Sequence, residues 1–247
     1  MRRIFWVVPM LYNEKELKFN VCGAIYSLLK QDICGYQMNS IVIFDNVPHE
    51  EIVNKSRKDF IQWSRSERHY AAKNIRDGIM MLNTEHQLKD DDIIALLDGD
   101  DSLIGNGVAQ IIVKTYQQYD CWLTYGSYKR ESDGKIMRGR YRNGEEFRKA
   151  PWRASHLKTF CYGLWKHLPD GALKGPDGSW LKVCSDLAIM FPLLEMAGDS
   201  KIRHIPHAIY LYNDFSEFND HKIHAKEQQE MDRWLRSLPS NLRLKSL

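Results

Sequence analysis

Asp98, Asp100 and Asp101 fall within four positions of "IIALLDGDD", directly after five apolar residues. Carboxylates crowded at the end of a buried strand repel one another and are costly to desolvate, so a cation among them is the simplest compensation. An all-oxygen donor set suits a hard divalent ion, Mg²⁺ or Mn²⁺. Asp98 and Asp100, separated by one glycine, can both reach a point just beyond the strand, and Gly99 lets backbone and ligand approach closely. Two other uses fit the same residues. Asp101 and Ser102 can cap a following helix, and a phosphatase can use Asp98 as nucleophile with Asp100 as the acid. A calcium loop requires a glutamate at its twelfth position, which here is Ala109.

The elements that must carry these groups follow from hydrophobic spacing. Apolar, β-branched runs at Ile4–Met10, Ser40–Phe44, Asp92–Leu97 and Cys121–Tyr125 read as strands. The spacing predicts helices over Glu14–Lys30, Glu50–Ser64, Tyr70–Thr84 and Gly107–Tyr119 between them. Alternating strands and helices imply crossover units and a mostly parallel sheet with helices on both faces. Ligands then sit at the carboxyl ends of the strands, which places Pro9 to Glu14, Asp45 with Asn46, and Asp98 to Ser102 at the candidate site. Further on, Asp133-Gly134 signals a hairpin. Helices are expected at His156–His167 and Ser185–Ala197, a strand at Ile202–Tyr212 and a charged helix at His221–Leu235.

Composition narrows the classes. Of the 247 residues, 43 % are hydrophobic and 11 % aromatic, enough for one well-packed unit with a short tail. The net charge of +3 argues against a dedicated nucleic-acid binder. One region is basic: from Lys129 to Lys174 there are twelve Lys or Arg against five Asp or Glu, which suits an anionic acceptor, a lipid diphosphate or a solvated face. The five cysteines are scattered and never spaced C-x-x-C, so neither a disulfide framework nor a zinc knuckle is expected. His204 and His207 flank Pro206 at a spacing that imitates a zinc pair, without a supporting Cys or His cluster. No stretch approaches the roughly 18 apolar residues of a membrane span. A soluble, cytoplasmic protein is the expectation.

Four motifs stand in order: "VVPMLYNE" closing the first strand, "VIFDN" closing the second, "AAKNIRDGI" opening a helix, and "LLDGDD". In this order the sequence resembles family-2 glycosyltransferases of the GT-A fold over its first ~130 residues, with "CSDLAIMFPLLEMAG" and "IPHAIYLYN" resembling their acceptor-side half. A phosphatase would place its D-x-D strand first; here it comes fourth.

The resemblance implies one GT-A domain over 1–215, with a nucleotide-sugar half at 1–128 and an acceptor half at 129–215, followed by a helix and tail at 216–247. It implies a UDP-sugar donor, an inverting hexosyl transfer to a saccharide, lipid-linked or protein acceptor, and Mn²⁺ or Mg²⁺. Pro9, Tyr12 and Asn13 would border base and ribose, Asp45 would accept a hydrogen bond from the base, and Lys73 or Arg76 would face the nucleotide. Asp100 would hold the metal, and Asp98 the ribose or a metal-bound water. Asp186 matches the position of the family's general base, although it also reads as an ordinary first-turn helix acid. His221, or next His224, would add a metal ligand. Trp152, Arg153 and His156 would form the acceptor floor, with core packing the other use of Trp152. A non-catalytic nucleotide-sugar-binding module fits the same motifs.

Overall fold

The structure is a computed structural model that describes all residues except 1, 13–20, 34, 49–51, 58 and 216–222. Ten strands form one sheet: β1 (Ile4–Leu11), β2 (Met38–Asp45), β3 (Ile52–Arg57), β4 (Phe60–Ser64), β5 (Ile93–Leu96), β6 (Ser102–Leu103), β7 (Leu123–Arg130), β8 (Ile136–Met137), β9 (Lys158–Cys161) and β10 (Ile202–Tyr212). Their spatial order is β3-β4-β2-β1-β5-β9-β7-β10-β6, with β8 alongside β7. The longest ladders, β1 on β2 and β7 on β10, are parallel. The helices are α1 (Val21–Leu29), α2 (Tyr70–His86), α3 (Val108–Tyr119), α4 (Tyr162–Lys166), α5 (Ser185–Ala197) and α6 (Ala225–Ser237).

β1 reads as a continuous apolar run because it is central: Ile4 to Val8 are wholly buried between β2 and β5. α2 lies over β1 and β2 through Ala72, Ile75, Ile79 and Leu82, at helical spacing. Gly78 permits the close approach, since a Cβ there would stand 2.9 Å from Ile43 Cδ1 and 3.0 Å from Val7 Cγ1.

Two expected helices are not formed. Within the first, Ile52–Arg57 and Phe60–Ser64 make the antiparallel pair β3–β4, and β4 extends the sheet in parallel with β2. The apolar residues there fit helical spacing, but Phe60 and Ile61 are β-favouring and are buried against a strand edge that needs a partner. The segment 156–167 is a strand followed by a single short helix. β9 runs antiparallel between β5 and β7, with all four residues buried. Thr159, hydrogen-bonded to Thr124 at 2.6 Å and Tyr116 at 2.9 Å, satisfies its hydroxyl inside the core.

The carboxyl-terminal helix docks on the domain. Arg148, buried, pairs with Glu195 of α5 at 2.6 Å and donates to Leu235 O on α6, while Arg236 donates to Arg148 O and Ala150 O, both at 2.8 Å. Among the described residues no helix is long and apolar enough to cross a membrane.

Candidate active site

The parallel strands β1 and β2 end paired at Leu11 and Asp45, and β5 ends at Leu96 opposite Val7, so the polar residues that follow all emerge toward one end of the sheet. Because β9 is antiparallel, its first residue, Lys158, lies opposite Leu96 at the same end of the sheet. His156, Lys158 and Asp98 are thereby brought together. Asp98 Oδ2 stands 3.4 Å from His156 Nδ1 and 3.7 Å from Lys158 Nζ.

Asp101 follows a different course from a helix cap. The chain after it forms β6, not a helix, and α3 begins only at Val108. Asp101 is 2 % exposed; its Oδ2 accepts from the Tyr210 hydroxyl at 2.6 Å and its Oδ1 from Asn213 N–H at 2.7 Å. The same Tyr210 oxygen accepts from Asp98 N–H at 3.2 Å. Gly99 is required at this turn, since a Cβ would stand 2.9 Å from Met10 Cα while Gly99 N–H donates to Pro9 O.

The charges divide sharply. Burial raises the Asp98 carboxyl, but Lys158, His156 and the Tyr210 hydroxyl outweigh it and hold Asp98 below the usual carboxylate range. Burial, with Asp100 and Asp98 adding repulsion, pushes Asp101 well above that range. Burial and Lys158 push His156 down to about 3. Its neutral imidazole stacks on Tyr210 at 4.6 Å and Tyr212 at 5.3 Å, and Lys158, which can only donate, faces its Nδ1 at 3.4 Å. Asp186 lies half-buried in the first turn of α5; burial raises its carboxyl, and both Lys158 and Asp98 act on it electrostatically. It therefore lies near the same centre, on α5.

Among the described residues, one oxygen each of Asp98 and Asp101 and one nitrogen of His156 lie within 4.8 Å of one another, a set that could hold a divalent metal. Carboxylates with an imidazole fit Mn²⁺, which accepts mixed oxygen and nitrogen donors. Asp100 lies half-buried beside this group and bears on Asp101 and Tyr212.

The other expected residues fall as follows. Pro9 lies half-buried within β1, two residues before its end, and Tyr12 donates its N–H to Asp45 O. The buried Asp45 carboxylate accepts from His69 and Tyr70 N–H at 2.9 to 3.0 Å, capping α2 from another strand. Lys73 and Arg76 both bond Asp77, at 2.6 and 3.1 Å, and both lie over Trp180. Trp152 packs edge-on against Phe191 of α5, and Arg153 is held by Glu145 at 2.5 Å, so both are engaged within the domain. His224 precedes α6 and faces Glu227 at 3.6 Å. Asn13 and His221 lie outside the described residues.

Sequence reasoning missed Lys158, Tyr210 and Asn213. "IPHAIYLYN" carried a signal for the last two, a strand ending in alternating tyrosines and an asparagine. Lys158 carried none, because its place depends on β9 entering the sheet.

No protein-family model matches the sequence, and no curated protein matches it. Solved structures do. TarS 1–349 of S. aureus in complex with UDP-GlcNAc superposes with a TM-score of 0.62 at 13 % identity, covering 98 % of this chain and 68 % of that one. The mannosyltransferase PcManGT from Pyrobaculum calidifontis, in complex with GDP-Man and Mn²⁺, gives 0.60 at 14 % identity, covering 98 % and 66 %. The chain spans 60 % of another TarS 1–349 structure and 38 % of a longer TarS chain. The fold is that of the GT-A glycosyltransferases.

Proposed function

We propose that the protein is a metal-dependent, inverting glycosyltransferase that moves a hexose from a UDP-sugar to an acceptor hydroxyl. The observation that carries this reading is the gathering of Asp98, Asp100 and Asp101 at the carboxyl end of β5, with Asp186 of α5 near enough to feel Asp98 and Lys158, within a GT-A fold. Pro9, Tyr12 and Asp45 border the base and ribose, with Lys73 or Arg76 toward the nucleotide. Asp100 and Asp98, with Asp101 and His156 beside them, hold Mn²⁺ or Mg²⁺. Asn13 and His221 complete the nucleotide and metal contacts in this reading.

A bound divalent ion supplies charge stabilisation to the departing diphosphate. Asp186 takes the proton from the acceptor hydroxyl as its oxygen attacks the anomeric carbon, opposite the bond to the diphosphate. Burial suits Asp186 to this task, because a raised carboxyl holds a transferred proton better than an exposed one. Lys158 keeps Asp98 ionised without a proton, and the neutral His156 adds no competing charge.

Calorimetric titration of UDP into the wild type and Asp100→Ala, each with Mn²⁺ and with chelator, tests the reading. Binding that needs both the metal and Asp100 is expected. Its absence from a folded wild type under every condition would overturn the UDP-sugar assignment. Metal-dependent UDP binding with no turnover on any sugar would leave a binding module.

A further inference from the structure

Among the described residues β10 is an open edge over its first half, because β6 pairs with it only at Tyr210 and Leu211. Pro206 sits on this stretch, where the ladder to β7 also shifts register, as an unpaired edge allows. Between this edge, α3 and the loop after β8 lies a cavity of about 910 Å³. It is lined by Arg140, Arg203 and Arg243, and by one carboxylate, Asp199.

Two of the three arginines are held on Ser200. Arg203 donates through Nη1 to Ser200 O at 3.2 Å and Ile202 O at 2.7 Å and lies over the Tyr119 ring. Arg243 donates through Nη2 to Ser200 Oγ at 2.6 Å. Its guanidinium crosses Gly198, which has φ +63° and where any Cβ would overlap it. Arg140 is exposed at the mouth and acts electrostatically on His204, which burial and this arginine together keep neutral. Asp199 accepts from Gly144 N–H at 2.7 Å through Oδ2. None of the three arginines forms an ion pair with a described residue.

Three arginines that line one cavity without carboxylate partners suit phosphoryl oxygens, which take paired N–H donors from a planar guanidinium. The cavity is in the size range of small-molecule sites. We propose that this sheet-edge cavity is a second ligand site, distinct from the centre at Asp98, for a compact anion bearing two or three phosphoryl groups.

Inorganic tripolyphosphate is the probe, titrated calorimetrically into the full chain with excess chelator so that metal-dependent binding at Asp98 is silent. Saturable binding is expected, weakened about tenfold or more in Arg140→Glu and again in Arg243→Glu. Arg140 is exposed and makes no ion pair, so its variant should melt as the wild type does. If Arg243→Glu unfolds, Arg140→Glu decides alone. No binding to the wild type, or equal binding to a folded Arg140→Glu, would overturn the proposal. UDP binding with Mn²⁺ in Arg140→Glu reads the Asp98 site separately and should be unchanged.

Discussion

The Tyr210 hydroxyl donates to Asp101 Oδ2 across 2.6 Å, joining the end of β10 to the turn after β5. The same oxygen accepts Asp98 N–H, so one phenol fixes both the buried acid and the backbone of its ionised neighbour. Tyr210→Phe leaves both groups without that partner in the core. A loss of about 1–3 kcal/mol in unfolding free energy is expected, with weaker metal-dependent UDP binding than wild type, read by denaturant titration and calorimetry.

Asp186→Asn removes the proposed base while keeping shape and most hydrogen bonding. Turnover of a UDP-sugar should fall by about 10²–10⁴, with UDP affinity unchanged. Because burial raises the Asp186 carboxyl, the wild-type rate should decline with falling pH from above the ordinary aspartate range, as the base takes up a proton. Product formation across pH 4 to 8 measures both effects.

Asp77 receives Lys73 at 2.6 Å and Arg65 at 2.9 Å. Burial raises its carboxyl, but the two cations outweigh this and lower it from 3.8. A carboxyl lowered on folding stabilises the protein above its unfolded value, and that stability is lost as pH falls through the folded value. Asp77→Asn should therefore cost about 1–3 kcal/mol at pH 7. The gap to wild type should close progressively below about pH 4, as followed by chemical denaturation.

Gly99→Ala drives a Cβ to 2.9 Å from Met10 Cα, backbone that cannot rotate away. The turn carrying Asp98, Asp100 and Asp101 must then shift. A destabilisation of about 1–3 kcal/mol is expected, together with loss of metal-dependent UDP binding at temperatures where the variant is folded.

The sequence by itself determined that carboxylates gather at the carboxyl ends of parallel strands. Apolar runs such as Ile4–Val8 can be buried only in a central strand, and the polar residues after each run must then emerge at one end. It also determined α2, α3 and α5, whose apolar spacing is long enough to be read locally. Tertiary structure alone decided β3–β4 and β9. Segments of four to six residues carry too little periodicity to separate strand from helix, and a neighbouring strand edge supplies the deciding hydrogen bonds. It also decided which groups touch: Lys158 reaches Asp98 because β9 is antiparallel, Arg153 is taken up by Glu145, and Asp101 meets Tyr210 and Asn213 across more than a hundred residues of chain. Those contacts depend on strand order and direction, which side-chain chemistry along one chain does not encode locally.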